Sequence, residues 1–177
     1  MPFKGSFKYV STTDNITSIM NGLAKMADKN IKIAVIDDFG YIMTNMYMRG
    51  HGSGDQFKLY DNIGTSVWGF IDYIKSPAVA PDAIVYLIMH EDLADDGSSK
   101  LRTIGKLLDN KVCIEGMHTV VLHAVTKGER HLFETQTNGM TIAKSPEGMF
   151  DSVEIENDLK AVDDAIRAYW GITGGTK

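Results

Sequence analysis

The sequence predicts one α/β domain built on a mostly parallel sheet, and three observations carry that prediction. Two short apolar runs, 31–36 and 83–89, are rich in β-branched residues. Each breaks into polar residues, Asp37-Asp38 after the first and His90-Glu91-Asp92 after the second. Between them, in 60–75, the apolar residues Ile63, Val67, Phe70, Ile71 and Ile74 repeat at helical spacing. Strand, helix and strand in that order set the two strands parallel and bring both polar ends to one edge of the sheet.

Composition narrows the function classes. A chain of 177 residues with 44% hydrophobic content has room for one sizeable core, and no apolar run approaches the roughly 20 residues of a membrane span. The single Cys113 lies in an apolar context and precludes an intramolecular disulfide, and no apolar signal-peptide core follows Met1, so a cytoplasmic setting is expected. A net charge of −5 argues against a general basic surface for nucleic acid and leaves only a local basic contact.

In chain order, 7–11 reads as a short strand, and Thr13-Asp14 offers an N-cap for a helix over 15–28 with Ile16, Ile19, Met20, Leu23 and Ala27 on one face. The run 31–38 reads as a strand buried on both faces. A Met- and Tyr-rich helix over 41–48 follows, breaking into the glycine-rich loop 49–55. That loop lacks the order G-x-x-x-x-G-K-[ST] and follows no buried strand, which argues against a phosphate cradle. The helix over 60–75 ends before Pro77 and Pro81, and 93–100 reads as a flexible loop. In 101–109, Arg102 and Lys106 either contact a phosphate or form the wet side of a short amphipathic helix. A third core strand over 117–126, a tight turn at Lys127-Gly128-Glu129 and an antiparallel partner over 130–136 form a hairpin. A loop runs through Lys144-Ser145-Pro146. Ile155, Leu159, Val162, Ile166 and Tyr169 then line a closing helix that stops before Gly171. Residues 1–172 form the domain and 173–177 a flexible tail.

Adjacent carboxylates at the end of a buried strand are costly unless a cation, a donor or water meets them. Asp37 is therefore a candidate magnesium ligand, and Asp38 a candidate base or water-orienting residue. The alternative is that Asp38 caps the next helix and Asp37 is solvated in the turn. His90 stands at the same edge near Asp37, or is a hydrogen-bonded surface residue. Together Asp37, Asp38, His90 and Glu91 offer the oxygen-rich Mg²⁺ or Mn²⁺ site of a metal-dependent phosphohydrolase or nuclease.

The series 33–39, Leu87-Ile88-Met89-His90-Glu91, Thr103-Ile104-Gly105-Lys106-Leu107-Leu108-Asp109, Phe133-Glu134-Thr135-Gln136-Thr137-Asn138-Gly139 and Lys144-Ser145-Pro146-Glu147-Gly148-Met149-Phe150 resembles the phage-encoded RecA-like, AAA-type P-loop ATP-binding proteins over nearly the whole chain. The resemblance implies a RecA-like three-layer sandwich with a C-terminal antiparallel hairpin, and an ATPase core acting in DNA replication or recombination. It implies Mg²⁺ and ATP as cofactors, single-stranded DNA and further copies of the chain as partners, and the host cytoplasm as location. On that pattern Asp37 is the Walker B carboxylate, binding metal and nucleotide, and Asp38 is its catalytic neighbour. His90 is the polar sensor, with Glu91 beside it in the catalytic set, and Lys144 is a basic residue near a neighbouring subunit's nucleotide.

One departure changes the expectation. No G-x-x-x-x-G-K-[ST] occurs in this sequence, so the family's first strand, P-loop and helix are missing from it. Weak ATP binding and no efficient hydrolysis by the chain alone follow, with a missing N-terminal segment or a partner protein completing the site. The missing strand is a central one, between the strands at 83–89 and 117–126. Either those two close on each other, or a second chain fills the place and the protein is a homo-oligomer. A non-catalytic interaction module derived from the same fold is the alternative function.

Overall fold

The computed structural model describes residues 11–172. The strand expected at 7–11 falls, apart from Ser11, outside the described residues, as does the tail 173–177.

The amino-terminal half runs α1 (Ile16–Ala24), β1 (Ile33–Ile36), α2 (Phe39–Gly50), α3 (Gln56–Ile74) and β2 (Ile84–Leu87). Asn15, rather than Thr13 or Asp14, caps α1, its side chain accepting from the Ser18 amide at 3.0 Å. Asp14 is drawn off by α2, where Asn45 donates to it at 2.8 Å and Arg49 pairs with it. α3 begins four residues before the first residue expected for it. The Asp55 carboxylate accepts from the amides of Phe57 and Lys58 at 2.9 and 3.2 Å and so starts the helix at Gln56.

The predicted parallel pairing is present, with Ile33 opposite Ile84 and Ile36 opposite Leu87. Ala34, Ile36, Val85 and Leu87 pack onto the helical core, whose centre includes Phe39, Met43, Ile63, Val67 and Phe70. The rings of Phe39 and Phe70 stack with centroids 5.3 Å apart. Burying each such large side chain stabilises the fold by about 1.5–3 kcal/mol. The expectation that β1 is buried on both faces is corrected, since Val35 keeps 37% of its surface exposed. Among the described residues two strands make this sheet, and the carboxy-terminal helix meets it at Lys32, Asp82 and Tyr86.

The second half departs further from the prediction. Where a flexible loop was expected, β3 (Glu91–Leu93) and β4 (Ser99–Leu101) form an antiparallel hairpin. Its tip is tied by the Asp96 carboxylate, which accepts from the Ser98 amide and hydroxyl at 3.0 and 2.6 Å, while Gly97 takes a left-handed φ of 82°. α4 (Lys106–Asp109) is a single turn of the expected amphipathic helix, and a 3-10 turn spans Glu115–Met117.

β5 (His123–Lys127), β6 (Arg130–Glu134) and β7 (Glu154–Glu156) make an antiparallel sheet closed by α5 (Leu159–Trp170). Gly128 at φ 63° makes the hairpin turn where the sequence places it. Ile155, expected on the helix, lies on β7 opposite Phe133. The helix starts later because Asp158 caps it, accepting from the Lys160 amide at 2.8 Å. It ends at Gly171, which is left-handed at φ 63° as expected.

Among the described residues the architecture is thus mixed α/β, with one parallel pair and separate antiparallel strands in place of one mostly parallel sheet. Among the described residues β2 and β5 do not pair, so the expected direct closure between them does not occur. Side chains link the two regions, Glu91 to His123 and Tyr86 to Asp163.

Candidate functional site

The turn from β1 into α2 is held to the end of β2 by two backbone bonds. The Ile88 amide donates to Ile36 at 3.0 Å, and the Phe39 amide donates to Ile88 at 2.9 Å. Between these bonds sits Asp38, in the left-handed region at φ 51° and ψ 48°. A non-glycine residue pays for that conformation with about 1–3 kcal/mol of strain, and such positions cluster at functional sites. The conformation sets the Asp38 carboxylate beside His90, whose Nε2 lies 3.0 Å from Oδ1. The Tyr41 ring stands edge-on to the imidazole at 6.5 Å. Asp38 occupies the N-cap position of α2 but makes no capping bond, so the capping alternative is corrected. Its charge is directed to His90 instead. Asp37 is exposed beside it at the strand tip.

The structure therefore brings Asp38 and His90 together, with Asp37 at the same edge, and leaves Glu91 and Lys144 in two further places. Glu91, next in the chain after His90, turns toward the antiparallel sheet. Its Oε2 lies 2.9 Å from His123 Nε2, and His123 Nδ1 lies 2.9 Å from Glu134 Oε2. Asp37, Asp38, His90 and Glu91 thus do not converge into one ligand set. Among the described residues no group of three or more His, Cys, Asp or Glu side chains could hold a metal ion. A hydrated Mg²⁺ needs less from the protein, one or two carboxylates with phosphate oxygens supplying the rest, and the exposed Asp37-Asp38 pair fits that role. Lys144 stands elsewhere. It bridges Val121 through the backbone at 2.8 Å in both directions, and its charge acts on Cys113 and His118. Cys113 itself is exposed between the buried Val112 and Ile114. Its thiol is pushed up, first by desolvation and then by Glu115, which disfavours a reactive thiolate.

The sequence reading missed His123, Glu134, Lys127 and Glu154. Lys127 bonds Glu134 at 3.4 Å and pairs with Glu154, which ties β5, β6 and β7 by charge. Glu134 is buried, and its carboxyl is held below the usual range, first by the His123 bond and then by Lys127. A signal was available, because a turn at 128–129 places His123 opposite Glu134.

An open groove of about 380 Å³ between α1, α2 and α3 is lined by residues such as Asp14, Met20, Arg49 and Phe70 and includes neither Asp38 nor His90. No protein-family model matches the chain, and no curated protein or solved structure does. No helix among the described residues is long and apolar enough to cross a membrane.

Proposed function

We propose that this chain is the core of a RecA-like ATP-binding protein of the phage type, acting in DNA replication or recombination. In this reading Mg²⁺·ATP meets the protein at the carboxyl edge of β1 and β2. The observation that carries the reading is the parallel register of those strands, which sets Asp37 and Asp38 on the same edge as His90 with Asp38 Oδ1 3.0 Å from His90 Nε2.

Bound Mg²⁺ would neutralise the charge of the nucleotide phosphates, and Asp37 is the residue that would hold it. Asp38 orients a water or accepts its proton, and His90 fixes the Asp38 carboxylate and senses its neighbourhood. Lys144 belongs to the face offered to a neighbouring copy's nucleotide. The sequence carries no G-x-x-x-x-G-K-[ST], so the phosphates find no backbone cradle in it.

Calorimetric titration with Mg²⁺·ATP tests this. A Kd of about 1 mM or weaker is expected. Asp37→Asn weakens it further and leaves stability equal or higher, because a repelling carboxylate is removed. No binding up to about 10 mM, or a micromolar affinity unchanged in Asp37→Asn, overturns the reading.

A second reading, a non-catalytic interaction module, is favoured by a different observation. Among the described residues β1 and β2 are a two-stranded sheet, and Val35 and Ile88 remain 37% and 42% exposed. In that reading a strand from a second copy adds to the sheet edge, making a homo-oligomer. A monomer mass by light scattering at about 100 μM rules it out.

A further inference from the structure

His123 joins two sheets that share no backbone ladder among the described residues, where the Ser99 amide of β4 donates to the Met140 carbonyl at 2.7 Å in the loop between β6 and β7. Its ring lies between Glu91 of β3 and Glu134 of β6, 2.9 Å from each carboxylate. The charged groups around it come from every strand packed against it. Lys127 on its own strand bonds Glu134 at 3.4 Å, and Glu154 of β7 pairs with Lys127. Ionised carboxylates only accept hydrogen bonds, so both ring nitrogens must donate, and only the imidazolium does so. A neutral ring keeps one donor and turns a lone pair toward the other carboxylate.

We propose that His123 is a proton-operated latch: as imidazolium it ties the β3–β4 hairpin to the β5–β7 sheet, and on losing a proton it releases Glu91. The two carboxylates are unequal, which decides the side that opens. Glu134 has a side chain only 11% exposed, is the cross-strand neighbour of His123 and keeps Lys127 as a second partner. Glu91 has a side chain 52% exposed and sits on a three-residue strand, so water replaces its partner at little cost.

Release reaches the candidate site through the backbone. The Arg102 amide donates to the His90 carbonyl at 2.9 Å and closes the base of the hairpin, so His90 and the hairpin are one unit. The latch stands on the hydrogen bonds of His123 and holds whether or not the edge binds nucleotide.

Ring-nitrogen and amide NMR across about pH 5 to 9 tests it. At the acid end both His123 nitrogens should carry protons, and the amides of Leu93 and Leu101 should shift in step with the ring as it loses one. In Glu91→Gln that hairpin shift should be lost, since a carboxamide can donate to or accept from the ring and stays docked in either state. In Asp38→Gly, which removes the His90 partner and tolerates the left-handed turn, the shift should persist. Hairpin amides that stay still as the ring titrates, that follow His90 instead, or that shift unchanged in Glu91→Gln overturn the latch. So does a ring still doubly protonated at about pH 9.

Discussion

The helices and parallel strands between α1 and β2 bury almost only apolar side chains, whereas the antiparallel strands and α5 bury charge. In the first region Phe39, Met43, Ile63 and Phe70 are at most 1% exposed, and no charged residue there is buried. In the second, Glu134, Asp163 and Arg167 share the interior with Leu132, Phe133 and Val162. The Arg167 guanidinium donates to Asp163 at 2.7 Å and to the carbonyls of Asp82 and Lys32 at 2.8 and 3.2 Å. Arg167, charge-paired with Asp163 within α5, thus docks the helix on the parallel strands through those two carbonyls. Apolar burial is insensitive to pH, while buried charge holds only as long as each partner keeps its protonation state. One region is a permanent scaffold for the Asp38–His90 edge, and the other is conditional.

The largest expected effects test the two regions against each other. Phe70→Ala removes a stacked core ring and should cost about 3–5 kcal/mol in urea unfolding. Arg167→Ala should cost nearly as much, about 3–5 kcal/mol, because Asp163 is left buried and unpaired. Replacing the pair together, as Asp163→Leu with Arg167→Met, should recover part of that loss. A double variant as unstable as Arg167→Ala would show that loss of the two carbonyl bonds, and not the unpaired Asp163, accounts for the cost.

A smaller effect follows from acid. The Glu134 carboxyl is depressed below its ordinary value of 4.5, mainly by His123. The unfolded chain therefore binds the proton first, so this stability is fully present above that value and is lost as pH falls through the folded one. Urea midpoints taken stepwise below pH 4.5 should fall in the wild type and fall less in Glu134→Gln. Equal slopes would assign acid sensitivity to other carboxylates.

The smallest contrast separates two aspartates that both precede helices. Asp55 accepts two capping bonds and Asp38 none, so Asp55→Ala should cost about 1 kcal/mol. Asp38→Asn keeps a residue that tolerates the left-handed turn and loses only the charge on an exposed contact with His90, so it should change stability by less than about 0.5 kcal/mol.

The same contrast explains what the sequence disclosed. The apolar region was legible because its signals are periodic and local: Ile63, Val67, Phe70 and Ile71 fall on one face, and the core takes that face. The parallel pairing followed from the order of strand and helix. Errors arose where a polar side chain found a partner far along the chain. Asp14 reads as a cap until Arg49 draws it into tertiary contact. Ile155 has helical spacing with Leu159, but Asp158 between them accepts capping bonds and leaves Ile155 to a strand. The 93–100 stretch reads as loose because its Asp96–Ser98 turn is a geometry and not a composition. At the site, the shared edge of Asp38 and His90 was legible, while the diversion of Glu91 to His123 required a contact across 32 residues.

The central claim is that the edge formed by Asp37, Asp38 and His90 is where metal and nucleotide meet the chain. Paramagnetic broadening by Mn²⁺·ATP tests it most directly, because Mn²⁺ takes the ligands of Mg²⁺ and broadens only nearby amides. The account predicts selective loss of the Asp37, Asp38, Phe39, Gly40, His90 and Glu91 amides, with Tyr169 and Trp170 of α5 untouched, and no such loss in Asp37→Asn. Broadening centred elsewhere, or unchanged in Asp37→Asn, would contradict it.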